Sequence, residues 1–342
     1  MNSTPFRVTA FALLASAAMV VPSAAAETEW KYFGSVPAGH DVGKIIIKGF
    51  ERINQRTNDK LKITYTFYGE TPYKPTEGLI LLRDELVDLT EWLPAYNAGT
   101  YPLLSGPELP LLVPRFVPTT ELHKLADASW NTETMKAYET KVLDDHGAVR
   151  VTRVFYEPMN LWFKGEFNGP ADLTGMKIRA FSPEQSEFLS AMGATPVTIP
   201  GPEVYTALQR GLVDGTIIGS SAIVSFKLDE VVKTGYLTNL QQLSTGMLAS
   251  KGSIDALPED VKAIFLEEMA AVEAEARAFI PEQEKRDVSI LEGKGITIKR
   301  PAEDVYSDLH KVAVDKVFPK WVGRAGEGSQ NFLDESLKAA GE

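Results

Sequence analysis

The chain has 342 residues, 44% of them hydrophobic and 24% charged, enough apolar side chain for two lobes and too little charge for a disordered polymer. Its formal net charge of −11 argues against nucleic acid or an anionic membrane surface as partner, so any anionic ligand must meet local positive charge. The absence of cysteine excludes disulfides, thiol nucleophiles and a lipid thioether anchor.

Residues 1–26 carry one basic residue, Arg7, then an apolar run, then a small-residue end before Glu27. That is the pattern of a cleavable export signal, with cleavage expected after Ala26. No later stretch approaches the roughly 18 uninterrupted apolar residues of a span, so no membrane insertion is expected after cleavage. EWKYFGSV then alternates as a first strand ending at Gly34. HDVGKIIIKGFERINQRTNDK places Val42, Ile45, Ile46, Gly49, Phe50 and Ile53 at helical spacing. LKITYTFYG alternates again, with Leu61, Ile63, Tyr65 and Phe67 on one face. A helix stopping near Glu85 and a short strand around Val87–Thr90 follow. LSGPELPLLVPRFVPTT is too rich in proline for regular structure and reads as a connecting loop.

From Thr120 to His146 the pattern is helical, with Leu122, Leu125, Trp130, Met135, Tyr138 and Val142 apolar. VRVTRVFYEP gives a strand over Val149–Phe155, ended by Pro158, and LWFKGEF a shorter one. DLTGMKIRAF, Asp172–Phe181, is a short strand with Arg179 at its carboxyl end. Ser182 at an N-cap, Pro183 at the first helical position, Gln185 and a terminal Gly193 then outline a helix. Ligands of α/β folds gather at that edge of a sheet. TPVTIPGPEVYTALQRGLVDG gives a strand to Ile199 and a helix with Pro202 near its start and Gly211 as its cap. Another helix begins after Ser220 and Ser221. A long acidic helix follows, interrupted only by Pro281, which would place a kink in it. The tail, 305–341, reads as one or two polar amphipathic helices. Strands alternate with helices throughout, which argues an α/β fold with mostly parallel central sheets.

Catalytic parts are scarce. His40, His123, His146 and His310 have no metal-ligand spacing and read as surface or helix-end residues. No H-E-x-x-H or G-x-S-x-G is present. GRAGEG at Gly323 follows no strand and lacks the Lys-Ser/Thr of a phosphate loop. No cofactor or metal is expected. The many carboxylates leave an exported hydrolase or isomerase of organic acids formally open, with no pair that can be picked out.

The stretch LTGMKIRAF, Leu173–Phe181, followed by ATPVTIPGPEVYTALQRGLVDG, Ala194–Gly215, resembles the solute-binding proteins of TRAP (tripartite ATP-independent periplasmic) transporters, DctP type. FERINQRTNDKLKI, LRDELVDLTE and PELPLLV match more loosely, so the resemblance spans nearly all of the chain after Glu27. It implies a two-lobed periplasmic-binding-protein fold with a long kinked helix crossing both lobes. Lobe I would comprise residues 27–153 with about 240–280, and lobe II 154–239 with about 281–342. It implies a periplasmic receptor that closes on a small organic anion and delivers it to the subunits of a TRAP membrane permease; a sensory role uses the same closure. Arg179 matches the arginine that pairs with the ligand carboxylate, and a guanidinium grips a carboxylate or sulfonate through two parallel bonds.

Two departures from the family pattern bear on the ligand. Asp214-Gly215 is followed by Thr216, Ile217, Ile218 and Gly219 where many members carry an asparagine, and Met159 and Asn160 stand where some supply a second arginine. The apolar wall implies a monoanion with an apolar or aromatic body. Trp92, Tyr156 and Phe181 are the aromatic candidates for the cleft, and Glu157 a partner for a ligand hydroxyl or amine. Thr216 and Ile217 are candidates for the wall. Ser220, with Ser221, would offer backbone donors at a helix start.

Overall fold

The computed structural model describes Met1 and residues 28–341. Apart from Met1, the expected export signal lies outside the described residues. The strands are β1 Thr28–Gly34, β2 Leu61–Phe67, β3 Leu89–Trp92, β4 Ala148–Phe155, β5 Met159–Phe163, β6 Lys177–Ala180, β7 Thr195–Thr198, β8 Gly215–Ile218, β9 Thr234–Gln241, β10 Ser244–Ser250 and β11 Thr297–Lys299. The helices are α1 Asp41–Arg56, α2 Gly78–Arg83, α3 Thr119–Trp130, α4 Glu133–Asp144, α5 Pro183–Ala191, α6 Val204–Gln209, α7 Ser220–Ser225, α8 Lys251–Asp255, α9 Glu259–Gly293, α10 Glu303–Val312, α11 Phe318–Ala325 and α12 Ser329–Ala340.

Two sheets form two lobes. The first has the order β2-β1-β3-β10-β4 and the second β11-β9-β5-β8-β6-β7. Both are mixed. The pairs β1/β2, β1/β3, β6/β7, β6/β8 and β9/β11 are parallel, while β10 runs antiparallel to β3 and β4, and β5 antiparallel to β8 and β9. The antiparallel pairings arise because the chain changes sheet twice without a helix, from β4 to β5 through Tyr156–Pro158 and from β9 to β10 through Gln242 and Leu243. Those crossings lie side by side. The Tyr156 amide donates to the Leu243 carbonyl at 3.0 Å, and Gln242 Nε2 donates to the Tyr156 carbonyl at 2.6 Å.

Strands β9 and β10 escape the sequence reading for a physical reason. Every residue of both is buried, including Thr238, Asn239, Gln241, Ser244 and Thr245, so polar and apolar residues share the two faces. Alternation appears only where one face is wet. The helical stretch read over 120–146 is divided into two helices, α3 and α4. Asn131 ends α3, and the Thr132 side chain accepts from the Met135 amide to start α4. The proline-rich loop holds a 3-10 turn at Pro102–Glu108. The tail packs on both sides of the molecule: α12 lies against α3 and the π-helical turn Ala313–Val317 lies against α5.

The long helix α9 is the third crossing. At 35 residues it spans roughly 50 Å. It packs on α1 and β4 of the first lobe and on α7 and β11 of the second. Pro281 lies within it and removes one backbone donor, yet the helix continues to Gly293. Its contact with α1 is close because Gly49 has no side chain. Val42, Ile46, Phe50 and Ile53 bury the same face of α1, and Arg52 and Arg56 bind the buried Glu268 of α9 at 2.6 and 2.7 Å. A methyl group at Gly49 would stand 2.3 Å from Val272 Cγ2. Gly49→Ala gains up to about 1 kcal/mol of helix propensity, but crowding this seam costs about 1–3 kcal/mol. The substitution is expected to lower the Tm, and adding Val272→Ala to restore part of the loss; a single variant as stable as the parent would contradict the close packing.

Candidate functional site

A cavity lies between the lobes where the crossings meet the strand ends. It encloses about 650 Å3 including its open mouth, and its wall includes Ser35, His40, Glu91 and Tyr96 from the first lobe and Arg179, Phe181, Ile218 and Ser221 from the second. Tyr156 and Glu157 of the first crossing form part of the same wall.

Strand β6 brings Arg179 to this point. It pairs with β7 and β8, opposite Val197 and Thr216, and Ile178 and Ala180 are fully buried beside it. Ser182 accepts from the Gln185 amide at 3.2 Å, so the chain turns into α5 immediately after Phe181. Gly193, with φ of 81°, ends that turn of structure in a conformation that favours glycine. Arg179 is 1% exposed. Its Nε donates to the Ile199 carbonyl at 2.7 Å and its Nη1 to the Ile217 carbonyl at 2.9 Å. The guanidinium carbon lies 5.0 Å from the Phe181 ring centre. Burial pulls its pKa below the usual value, while the Tyr96 phenol beside it acts the other way. Among the described residues no carboxylate lies within ion-pair distance of it.

Two carboxyl groups share the cavity in different conditions. Glu91 is satisfied on both oxygens, by the Ser35 amide at 2.6 Å and the Tyr156 hydroxyl at 2.7 Å. Glu157 is satisfied on one. Its Oε1 accepts from the Ser221 amide at 2.9 Å and from the Ser221 hydroxyl, while its buried Oε2 has no partner. Burial pushes the Glu157 carboxyl up to about 7, with the Ser221 bonds opposing the shift. Gly219 allows this approach, because a Cβ there would meet Glu157 Oε1 at 2.2 Å.

His40 closes the array from the first lobe. Its Nδ1 accepts from the Val42 amide at 3.1 Å, as the N-cap of α1, and its Nε2 lies 3.0 Å from Ser221 Oγ. Burial lowers its pKa to about 4. With Nδ1 accepting, the neutral ring carries its proton on Nε2 and donates to Ser221, which donates in turn to Glu157. A serine nucleophile needs the opposite polarity, with the imidazole accepting the hydroxyl proton. The His40–Ser221–Glu157 array is a bridge between lobes, and in this protonation state His40 is not a base for Ser221.

Of the sequence candidates, Tyr156, Glu157, Arg179 and Phe181 meet at this cavity. Trp92, Thr216, Ile217 and Ser220 fall outside its wall. Trp92 is fully buried, with Nε1 bonded to Asn97 at 2.8 Å; strand alternation turns its neighbour Glu91 to the cavity instead. Thr216 and Ile217 are fully buried, and Ile217 serves the site through its carbonyl while Ile218 lines the wall. Ser220 is displaced by Ser221, whose amide is already occupied by Glu157. Ser35, His40, Glu91 and Tyr96 carried no sequence signal, since each is a single residue at the end of an ordinary strand or helix.

The described residues contain no helix long and apolar enough to cross a membrane and no cluster of three or more metal-ligating side chains. The family model described as bacterial extracellular solute-binding protein, family 7 (DctP), matches residues 34–319. A solute-binding protein of Albidiferax ferrireducens is 26% identical over 258 residues, covering 74% of this chain and 72% of its own. Among solved structures, DctP7, a Bordetella pertussis extracytoplasmic solute receptor binding pyroglutamic acid, is similar with a TM-score of 0.80 at 21% identity, over 90% of this chain and 99% of its own. A TRAP periplasmic solute-binding protein from Rhodoferax ferrireducens with bound malonate gives 0.79 at 21% identity, over 90% and 97%. The structural likeness establishes the two-lobed fold; with the family model spanning most of the sequence, the chain belongs to the DctP family of bacterial extracellular solute-binding proteins.

Proposed function

We propose that this protein is an extracytoplasmic receptor that closes its lobes on a small organic monoanion and delivers it to a TRAP membrane permease. The observation that carries the reading is Arg179: a guanidinium 1% exposed, held by two carbonyls and facing a cavity, with no carboxylate in ion-pair distance among the described residues. A buried cation in that condition is costly until an anion joins it. Family membership supports the receptor role and the permease as its partner. The direction of the His40–Ser221–Glu157 bonds favours it over an exported hydrolase.

The wall favours one anionic group and an apolar body. Arg179 is the cation there, since His40 is neutral, and Leu93, Met159, Ile218, Phe226 and Leu243 are among the apolar residues of the wall. Of the ligands held by the structural relatives, pyroglutamate fits this description better than malonate, whose second carboxylate would face Glu91 and Glu157. Arg179→Ala is expected to weaken binding of the cognate acid by about 2–5 kcal/mol, roughly 30- to 4,000-fold, measured by calorimetry. The free variant should unfold at no lower temperature than the parent, because an unpaired buried charge is removed. Binding of the same acid with undiminished affinity would overturn the assignment. In a thermal-shift screen, small cyclic monoacids are expected to stabilise the protein more than malonate or succinate, by up to about 2.7 kcal/mol at a hundredfold excess over Kd. A preference for the diacids would sink the monoanion reading.

A further inference from the structure

Besides the anion grip, two buried polar atoms of cavity-lining residues have no partner among the described residues, Ser35 Oγ and Glu157 Oε2, and the carboxyl oxygen constrains the rest of the ligand. Glu157 Oε1 is fully used by Ser221, so any proton on this carboxyl sits on Oε2. That oxygen is buried without a partner in a residue that lines the cavity. The unpaired atom is therefore a donor when the group is neutral and an acceptor when it is ionised.

The charges around it decide between the two. From α9, Glu284 acts on Glu157 to disfavour its ionised form. From the segment before α1, neutral His40 reaches it only through Ser221 of α7. Glu91 of β3 stands beyond Tyr156, whose hydroxyl it binds. Arg179 of β6 lines the same cavity and, as a cation, favours the ionised carboxyl while the site is empty. A ligand anion on Arg179 adds one more negative charge and neutralises the only cation of the wall. The bound state thus favours the neutral carboxyl.

Resting on the receptor reading above, we propose that Glu157 is a specificity-determining residue that donates Oε2–H to an uncharged oxygen of the bound anion. The ligand is then an oxo, hydroxy or amido acid, and a plain carboxylic acid of the same shape is disfavoured because it leaves Oε2 unpaired. An empty site titrating near 7 gives the pH signature. Binding needs the proton, so affinity is level below that value and falls as pH rises through it.

The test pairs acids that differ in the one oxygen: pyroglutamate with cyclopentanecarboxylate, 3-methyl-2-oxobutanoate with 3-methylbutanoate, and lactate with propionate. Each is titrated calorimetrically at about pH 6 and about pH 8.5 into the mature protein and into Glu157→Gln and Glu157→Leu. The expected result is that the best-binding acid exceeds its partner by roughly tenfold or more at pH 6 and loses roughly tenfold by pH 8.5. Glu157→Gln, whose amide Nε2 donates at every pH, should keep the preference and lose the pH dependence. Glu157→Leu should lose the preference. Best binding by an acid without the oxygen, affinity that rises with pH, or a pH slope retained in Glu157→Gln would overturn the proposal while leaving Arg179 as the anion grip. If no acid of the set binds at either pH, the receptor reading of Arg179 falls and this inference falls with it.

Discussion

The site depends on a guanidinium kept out of water with no counter-ion among the described residues. Burying Arg179 withdraws a charge from solvent, and the Ile199 and Ile217 carbonyls replace only part of what water supplied. Both acceptors lie where the chain leaves β7 or runs through β8, so the parallel trio β7-β6-β8 both presents the cation and orients it. In a protein of formal charge −11 the general field repels anions, and a single oriented cation in a low-dielectric cleft is a local answer to that field. The two carbonyl bonds fix the side chain, and a guanidinium so held would meet an oxyanion without reorganising.

The same few residues connect the lobes and line the cavity. Tyr156 and Glu157 are consecutive in the extended crossing between the sheets, so their side chains diverge. Tyr156 binds Glu91 on β3 of the first lobe; Glu157 binds Ser221 on α7 of the second. One dipeptide thus holds both lobes, and the neighbouring crossing at Gln242 and Leu243 is tied to it through the Tyr156 backbone. A ligand on this wall would therefore touch the connection between the lobes. Helix α9 also ties the lobes, since it packs on α1 in one and α7 in the other.

The sequence displayed the second lobe's half of the site better than the first lobe's. Around Arg179 the local chemistry is unambiguous: an alternating strand, an N-cap serine, a proline at the first helical position and a glycine at the end all agree, and the structure has each of them. Elements that are half wet, such as α1 and β4, were visible through their periodicity. The central strands β9 and β10 were not, because burial on both faces mixes Thr, Asn, Gln and Ser with Leu and Met. On the first lobe the cavity is built from isolated side chains, and the choice between adjacent residues falls to strand phase. Trp92 against Glu91 is a one-residue offset on β3, Ile217 against Ile218 is one on β8 of the second lobe, and Ser220 against Ser221 is a one-residue offset at the start of helix α7. Composition at a strand end cannot fix that phase; the hydrogen-bond register of the sheet does.

The two cavity carboxyls complete the logic of the pocket. A receptor for anions that lines its cleft with Glu91 and Glu157 works against itself unless they serve discrimination. Glu91 has both oxygens already bonded, one to the Ser35 amide and one to the Tyr156 hydroxyl, so it is held in place by the first lobe and the crossing. Glu157 retains one free oxygen and a carboxyl that burial raises to about 7. A second carboxylate on the ligand would meet these groups without a second cation, which costs affinity that an apolar or singly oxygenated body does not lose. On the proposed reading the cation sets what is held, and the acids set what is refused.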